Sequence, residues 1–373
     1  MQPNIHLEKN GFAAERFRMG VSLHSHTLHS HEPLAPIYRY ARKIGPVRMA
    51  LERCLRQFSR ANGGRPLDLS RAYWTPPLAP HDAWQLEHDH IRERFGLGAL
   101  VSLTDHDSIE APMTLRVLDC FRELPVSVEW TVPYREKFFY LGVHNIQPDR
   151  ARQTMSVLEA YTANPAESTL PELLASVASN PATLVVFNHP CWDESEAEHV
   201  THCARAIEFC RRYGAWIHAL ELNGLRPWKE NKQVMRMALQ VGKPVISGGD
   251  RHGLEPSATL NLTRAATFEE FVAEVRGGRS DVLFTNQYFE PLPVRILQSV
   301  QDIVADHENH GRGWVSWSDR VFYLSEDGEH RAFSSQWKHK PAAIKIFEAG
   351  LRALRHPGLR FAFRAFARSE AAL

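Results

Sequence analysis

Compact apolar runs separated by helix-period segments set the frame of this chain. Runs over 19–23, 99–103, 126–128, 138–143, 183–187, 216–220, 243–246 and 282–284 predict strands. Between them, 81–95, 111–122, 148–179 (in two pieces, broken at Asn164-Pro165), 194–213, 232–239 and 268–275 carry helical patterning. Gly96, Gly98 and Gly277-Gly278 supply stop signals. Strands alternating with helices predict parallel βα units, whose strand ends converge on one face. Two segments fall outside that alternation. Residues 32–80, with a basic amphipathic stretch over 37–60 and the loops N-G-G-R-P and T-P-P-L-A-P, read as an insertion after the first strand. It is either a lid with substrate contacts or a packed surface excursion. Residues 288–373 read as a C-terminal extension.

The residues at the strand ends change the picture. The first strand runs into His24-Ser25-His26, and residues two apart in extended chain share a face, so two imidazoles form half of a metal site. The second ends in Thr104-Asp105-His106-Asp107, the third in Glu129, the fourth in His144, and the next in Asn188-His189-Pro190. Glu221 terminates a further strand, and Asp250-Arg251-His252 repeats the i, i+2 spacing of the start. So many strand ends bearing His, Asp or Glu argue for a multinuclear metal site.

Composition narrows the partners. The chain has 373 residues, 43% of them hydrophobic, and a formal charge of +1, so no global field recruits nucleic acid. The first residues hold no apolar signal-like run, no stretch is long enough to cross a bilayer, and five cysteines lack C-x-x-C spacing. A cytoplasmic protein with reduced thiols is expected.

These motifs resemble the polymerase and histidinol phosphatase (PHP) family of metal-dependent phosphoesterases. Its D-x-H-x-H…S-D-G corresponds to Ser22 to His26 with Ser30-His31-Glu32, and T-D-H-D stands intact at 104–107. Glu129, His189-Pro190, Glu221 to Gly224, Gly248 to His252 and Arg276 to Arg279 match the later motifs, over about residues 18 to 285. The resemblance implies a distorted (β/α)7 TIM-like barrel spanning 1–287, with two or three divalent ions (zinc, manganese or iron). His24, His26, His31, His106, Glu129, His144, His189, Asp250 and His252 would be ligands. Asp105 and Asp107 would orient or act as catalytic carboxylates, and Arg251 would meet phosphate. Ser22 replaces the usual Asp. His31 replaces an Asp ligand, favouring zinc or iron over magnesium. Phe139 or Tyr140 stands where a histidine is usual, and His144 is the candidate substitute. The implied activity is hydrolysis of a small phosphomonoester. A nuclease or phosphodiesterase and a catalytically silent metal-binding module are the alternatives.

In the tail, Arg360, Arg364 and Arg368 recur every four residues on a helix broken from its predecessor at His356-Pro357-Gly358. Its phenylalanines are expected to pack on the barrel or on a second subunit. A homo-oligomer therefore stays open, as does an anionic membrane surface.

Overall fold

The computed structural model describes residues 4–35, 48–49, 52–53, 55–56, 59–60, 71–193, 199–325, 328–337 and 339–371. The basic stretch expected over 37–60 lies largely outside them. Strands in chain order are β1 (Asn4–Leu7), β2 (Met19–Ser22), β3 (Glu32–Pro33), β4 (Tyr73–Trp74), β5 (Gly98–Val101), β6 (Val126–Tyr134) and β7 (Lys137–Ile146). Then come β8 (Leu184–Asn188), β9 (Ala219–Asn223), β10 (Val245–Gly248), β11 (Thr259–Thr263), β12 (Asp281–Phe284), β13 (Val321–Leu324) and β14 (His330–Ala332). The principal helices are α1 (Pro80–Phe95), α2 (Ala151–Ala163), α3 (Leu170–Ala178), α4 (His199–Tyr213), α5 (Trp228–Val241) and α6 (Phe268–Arg276). They are followed by α7 (Leu292–Ile303), α8 (Ala342–Ala353) and α9 (Pro357–Ala371).

The chain divides into two compact units, one of residues 1–30 with 78–292, the other of 31–77 with 293–373. The first holds two five-stranded sheets, ordered β1-β12-β11-β2-β5 and β10-β9-β8-β7-β6. Among the described residues these strands do not form the expected TIM-like barrel. Both sheets are mixed: β11 runs antiparallel to β2 and β12, and β6, β7 and β8 are successively antiparallel. The physical reason is connectivity. A two-residue turn at Arg135-Glu136 joins β6 to β7, leaving no crossover helix that could make them parallel.

Nor do the sheets close on each other, because side chains occupy the seams where a ladder would have to run. At one seam Asn261 Oδ1 accepts from Ser247 N (2.7 Å), its Nδ2 donates to Ser247 O (2.9 Å), and Thr259 Oγ1 donates to Gly248 O. At the other, Ser102 Oγ donates to Ser127 Oγ (2.8 Å), and the ladder shrinks to a single bridge between His106 and Glu129.

Alternation along the β6–β10 sheet decides what faces what. On one face Val126, Val128, Trp130, Val132, Phe139, Leu141, Val143, Phe187, Leu220 and Leu222 form the main core with α2, α3, α4 and α5. Each fully buried side chain of this size contributes roughly 1.5–3 kcal/mol. The other face is apolar over part of its extent, where Leu184, Val186, Ala219 and Ile246 meet Val21, Leu23 and helix α6. The same alternation turns Glu129, Tyr140, Gly142, His144, Asn188, Glu221 and Asn223 away from the main core.

The second unit is built on the antiparallel sheet β14-β13-β4-β3. Buried Arg320 ties its segments together, donating to the carbonyls of Thr75, Ile303 and Ala305. Helix α8 docks through Glu348, which accepts from Trp317 Nε1 and Lys340 Nζ (both 2.6 Å). On α9 Phe361 is 73% exposed, and Phe366 lies outside the described side chains. Among the described residues no helix is long and apolar enough to cross a membrane. Of the described cysteines, Cys191 and Cys210 are buried and Cys120 is exposed, all as free thiols.

Candidate metal centre

Glu129 is the hub. The sequence suggests a carboxylate just beyond a strand, but β6 runs through it to Tyr134 because its hairpin with β7 prolongs the ladder. Opposite Glu129 in register stands Gly142, where a Cβ would lie 2.9 Å from Asn188 Oδ1 and 2.8 Å from His144 Nε2. The missing side chain lets Asn188 Nδ2 donate to Glu129 Oε1 (2.9 Å). His189 Nε2 meets the same oxygen at 3.1 Å. Around Oε2 gather the Nε2 atoms of His24 (3.0 Å), His106 (3.3 Å) and His26 (3.5 Å). Ligand atoms of His24, His26 and Glu129 all lie within 4.8 Å of one another, and all three residues are buried.

A second carboxylate faces the same imidazoles. Asp250 Oδ1 is 3.7 Å from His24 Nε2, 3.6 Å from His26 Nε2 and 3.5 Å from His252 Nδ1. The His252 ring stacks on His26 with centroids 4.2 Å apart. Glu221, in the middle of β9 and not at its end, accepts from His24 Nδ1 (2.6 Å) and fixes that ring from its other nitrogen. Glu221 also accepts from Asn223 Nδ2 (2.7 Å), which reaches Asp250 Oδ2 at 3.1 Å. Close packing here requires Gly248, since a Cβ there would overlap Glu221 Oε2.

His24, Asp107, His189 and Asp250 all have left-handed backbones, with φ of +65°, +48°, +27° and +54°. Non-glycine residues there cost of order 1–3 kcal/mol each, and such strain collects at functional sites.

The electrostatics are those of a cation trap. Burial works against charge on His24, yet Glu129, Glu221 and Asp250 outweigh it and hold the imidazole well above its ordinary value. Burial likewise pushes Glu129 up, but His24 and His106, with bonds from His189 and His24, hold its carboxyl well below the usual range. Asp250 is held low against burial by His24, His26, His252 and His189. Asp107 goes the other way: burial raises it in spite of the Thr131 N–H that its Oδ1 accepts.

The donor set fits a divalent ion. A tetrahedral ion with bonds of about 2.1 Å separates its ligand atoms by about 3.4 Å. The nitrogen-to-oxygen distances around Glu129 Oε2 and Asp250 Oδ1 run from 3.0 to 3.7 Å. Buried His and carboxylate groups at this spacing suit a metal, and Glu221 behind His24 is the outer carboxylate that metal-binding histidines usually keep.

Other expected site residues have different surroundings. Asp105 accepts from the backbone N–H (2.5 Å) and hydroxyl (2.7 Å) of Thr27, fixing the turn after His26. Arg251 is paired with Glu87 (3.0 Å). His144 lies within β7, bonded through Nδ1 to Ser102 Oγ (2.8 Å), and burial drives it down to about 3. His31 belongs to the second unit, where its ring lies on Tyr73 at 4.2 Å between centroids.

No protein-family model matches the chain, and no curated protein sequence does. Among solved structures it is similar to an amidohydrolase from Chromobacterium violaceum (16% identity, 48% of this chain and 83% of that one, TM-score 0.30). It is also similar to PsfC from Pseudomonas syringae (14% identity, 75% and 96%, TM-score 0.37). A third is a proposed metal-dependent phosphoesterase from Bifidobacterium adolescentis (13% identity, 55% and 93%, TM-score 0.33). Likenesses of this degree decide neither fold nor function.

Proposed function

We propose that this protein is a metal-dependent hydrolase that cleaves a phosphoester, most readily a phosphomonoester of a small metabolite or nucleotide. The observation that carries the reading is the buried Glu129 carboxylate with four imidazole nitrogens within 3.5 Å, faced by Asp250. The PHP-like motifs of the sequence point the same way. His24, His26, Glu129 and Asp250 would hold one pair of ions, with His106, His189 and His252 completing the cluster. Bound there, a divalent ion supplies Lewis acidity and brings the pKa of a coordinated water to roughly 7.

The chain's own residues do the rest. Glu221 and Asn223 keep the His24 ring and the Asp250 carboxylate in place. Asp105 holds the turn that presents His26. Asp107, whose Oδ1 accepts from Thr131 N (2.8 Å) and whose carboxyl burial raises, stands next to His106 and is the carboxyl we assign to the leaving alkoxide. A panel of phosphorylated metabolites, screened for phosphate release with manganese, iron and zinc, tests the reading. Metal-dependent release from at least one monoester is expected. Cleavage of single-stranded nucleic acid faster than any monoester would replace the reading with the nuclease. Bound metal without turnover of any ester would make the protein a binding module.

A further inference from the structure

Arg251, the arginine that the sequence puts forward for phosphate, is already engaged. Besides its ion pair with Glu87 it donates Nη1 to Gly253 O and Nη2 to His26 O, each at 2.9 Å, and it is buried. A phosphoryl dianion entering beside Glu129, Glu221 and Asp250 needs a cationic fork that is free to turn toward it. We propose that Arg226 is that fork, an anchor for the non-bridging oxygens of the substrate phosphoryl group that makes the site prefer monoesters to diesters. This rests on the phosphoester reading.

Three observations converge on Arg226. First, its position is built. It lies three residues beyond Asn223, and Asn231 serves both residues: Asn231 Oδ1 accepts from Asn223 N (2.9 Å), while its Nδ2 donates to Tyr288 Oη (2.8 Å). The Tyr288 hydroxyl in turn donates to Arg226 O (2.9 Å). Second, its plane is set. The guanidinium carbon lies 4.2 Å from the Trp192 ring centroid, and Trp192 stands edge-on to His189, with centroids 5.2 Å apart. Third, its donors are unspent. Nη2 lies 3.5 Å from Asp250 Oδ2, a long contact, and among the described residues no other group meets the side chain's remaining N–H groups. Nε is buried without an acceptor.

A buried, unmet guanidinium N–H is costly unless a ligand meets it. The side chain is 19% exposed, so the fork is reachable from solvent while backed by an aromatic plane. A monoester presents three non-bridging oxygens and up to two charges, enough to share between an ion cluster and a bidentate arginine. A diester offers two oxygens and one charge, and gains less from the same fork.

The test titrates inorganic phosphate into the metal-loaded protein by calorimetry, and compares kcat/KM for an aryl phosphate with that for a bis-aryl phosphate. In Arg226→Ala, phosphate binding should weaken at least about tenfold and the monoester-to-diester ratio should fall about as far, with metal content unchanged. Unchanged phosphate binding and an unchanged ratio would overturn the anchor and leave the phosphoester reading standing. A metal-loaded wild type that neither binds phosphate nor turns over either ester would overturn both together. Should Arg226→Ala also shed metal, Arg226→Lys decides, since it keeps the charge and removes the fork. A lowered ratio in that variant supports the anchor, and a wild-type ratio refutes it.

Discussion

Replacing Glu129 by Gln keeps the shape of the hub and removes its charge. Two unit charges 3.0 Å apart, the separation of Glu129 Oε2 from His24 Nε2, interact by about 5 kcal/mol at an effective dielectric constant near 20. A cation bound among these groups loses an attraction of that order. The neutral amide is cheaper to bury than the carboxylate, which returns part of the loss. A net weakening of about 3 kcal/mol, on the order of a hundredfold in metal affinity, remains. The amide also places an N–H₂ where Asn188 Nδ2, His189 and His24 now find oxygens, so one bond of this set is forfeited. Competition with a chromophoric chelator, on wild type and variant at the same pH, measures the change directly. A variant that holds metal within about threefold of wild type would refute the assignment of Glu129 as the hub, whatever its activity.

Other consequences are as direct. Asp250→Asn should abolish phosphate release while leaving the far-ultraviolet circular dichroism intact; an active variant would mean that the cluster is misassigned. Gly248→Ala drives a methyl into Glu221 Oε2 and should lower metal affinity by about tenfold or more through the displaced His24 partner, which metal titration detects. Burial holds His202 and His218 down to about 4, and His218 Nδ1 accepts from Val185 N at 2.8 Å, so the fold needs both neutral. Their unfolded-state pKa is near 6.5, so their contribution is full above that pH. It is lost as pH falls toward 4, at up to about 1.4 kcal/mol per unit for each ring. Denaturant midpoints should therefore drop between pH 6.5 and 5, and His218→Gln should flatten the drop; equal pH dependence in wild type and variant would contradict the account.

Much of the centre is legible in the sequence because its residues sit in short local patterns. His24 with His26, T-D-H-D, and Asp250 with His252 announce themselves by spacing, and the structure brings His24, His26, His106, His189, Asp250 and His252 around Glu129. Sequence cannot show who sits opposite whom. Glu87, mid-helix in α1, belongs to no motif of the sequence, yet it accepts from Ser22, Ser257 and Arg251, the farthest 170 positions away. Arg226 and Asn231 are hidden for the same reason. Glu221 carries the same signal as Glu129, a carboxylate on an apolar strand, but its partnership with His24 shows only in the folded chain.

The barrel fails on connectivity. The runs over 126–128 and 138–143 are legible as short strands, but their extension to Tyr134 and from Lys137 is not, and the turn that makes them antiparallel is only Arg135-Glu136, without the Asn-Gly or Gly signal of a tight hairpin. The stretch T-L-N-L-T of β11 carries its alternation in the sequence. Lying between Asp250-Arg251-His252 and helix α6, it is not among the predicted strands, and it supplies the antiparallel pairs of the other sheet.

Elemental analysis of the protein purified without chelator tests the central claim most directly. Two to three equivalents of transition metal per chain are predicted, falling below one when His24 and His26 are both replaced by alanine. Less than one equivalent in the wild-type protein, or an unchanged content in the double variant, would contradict the account.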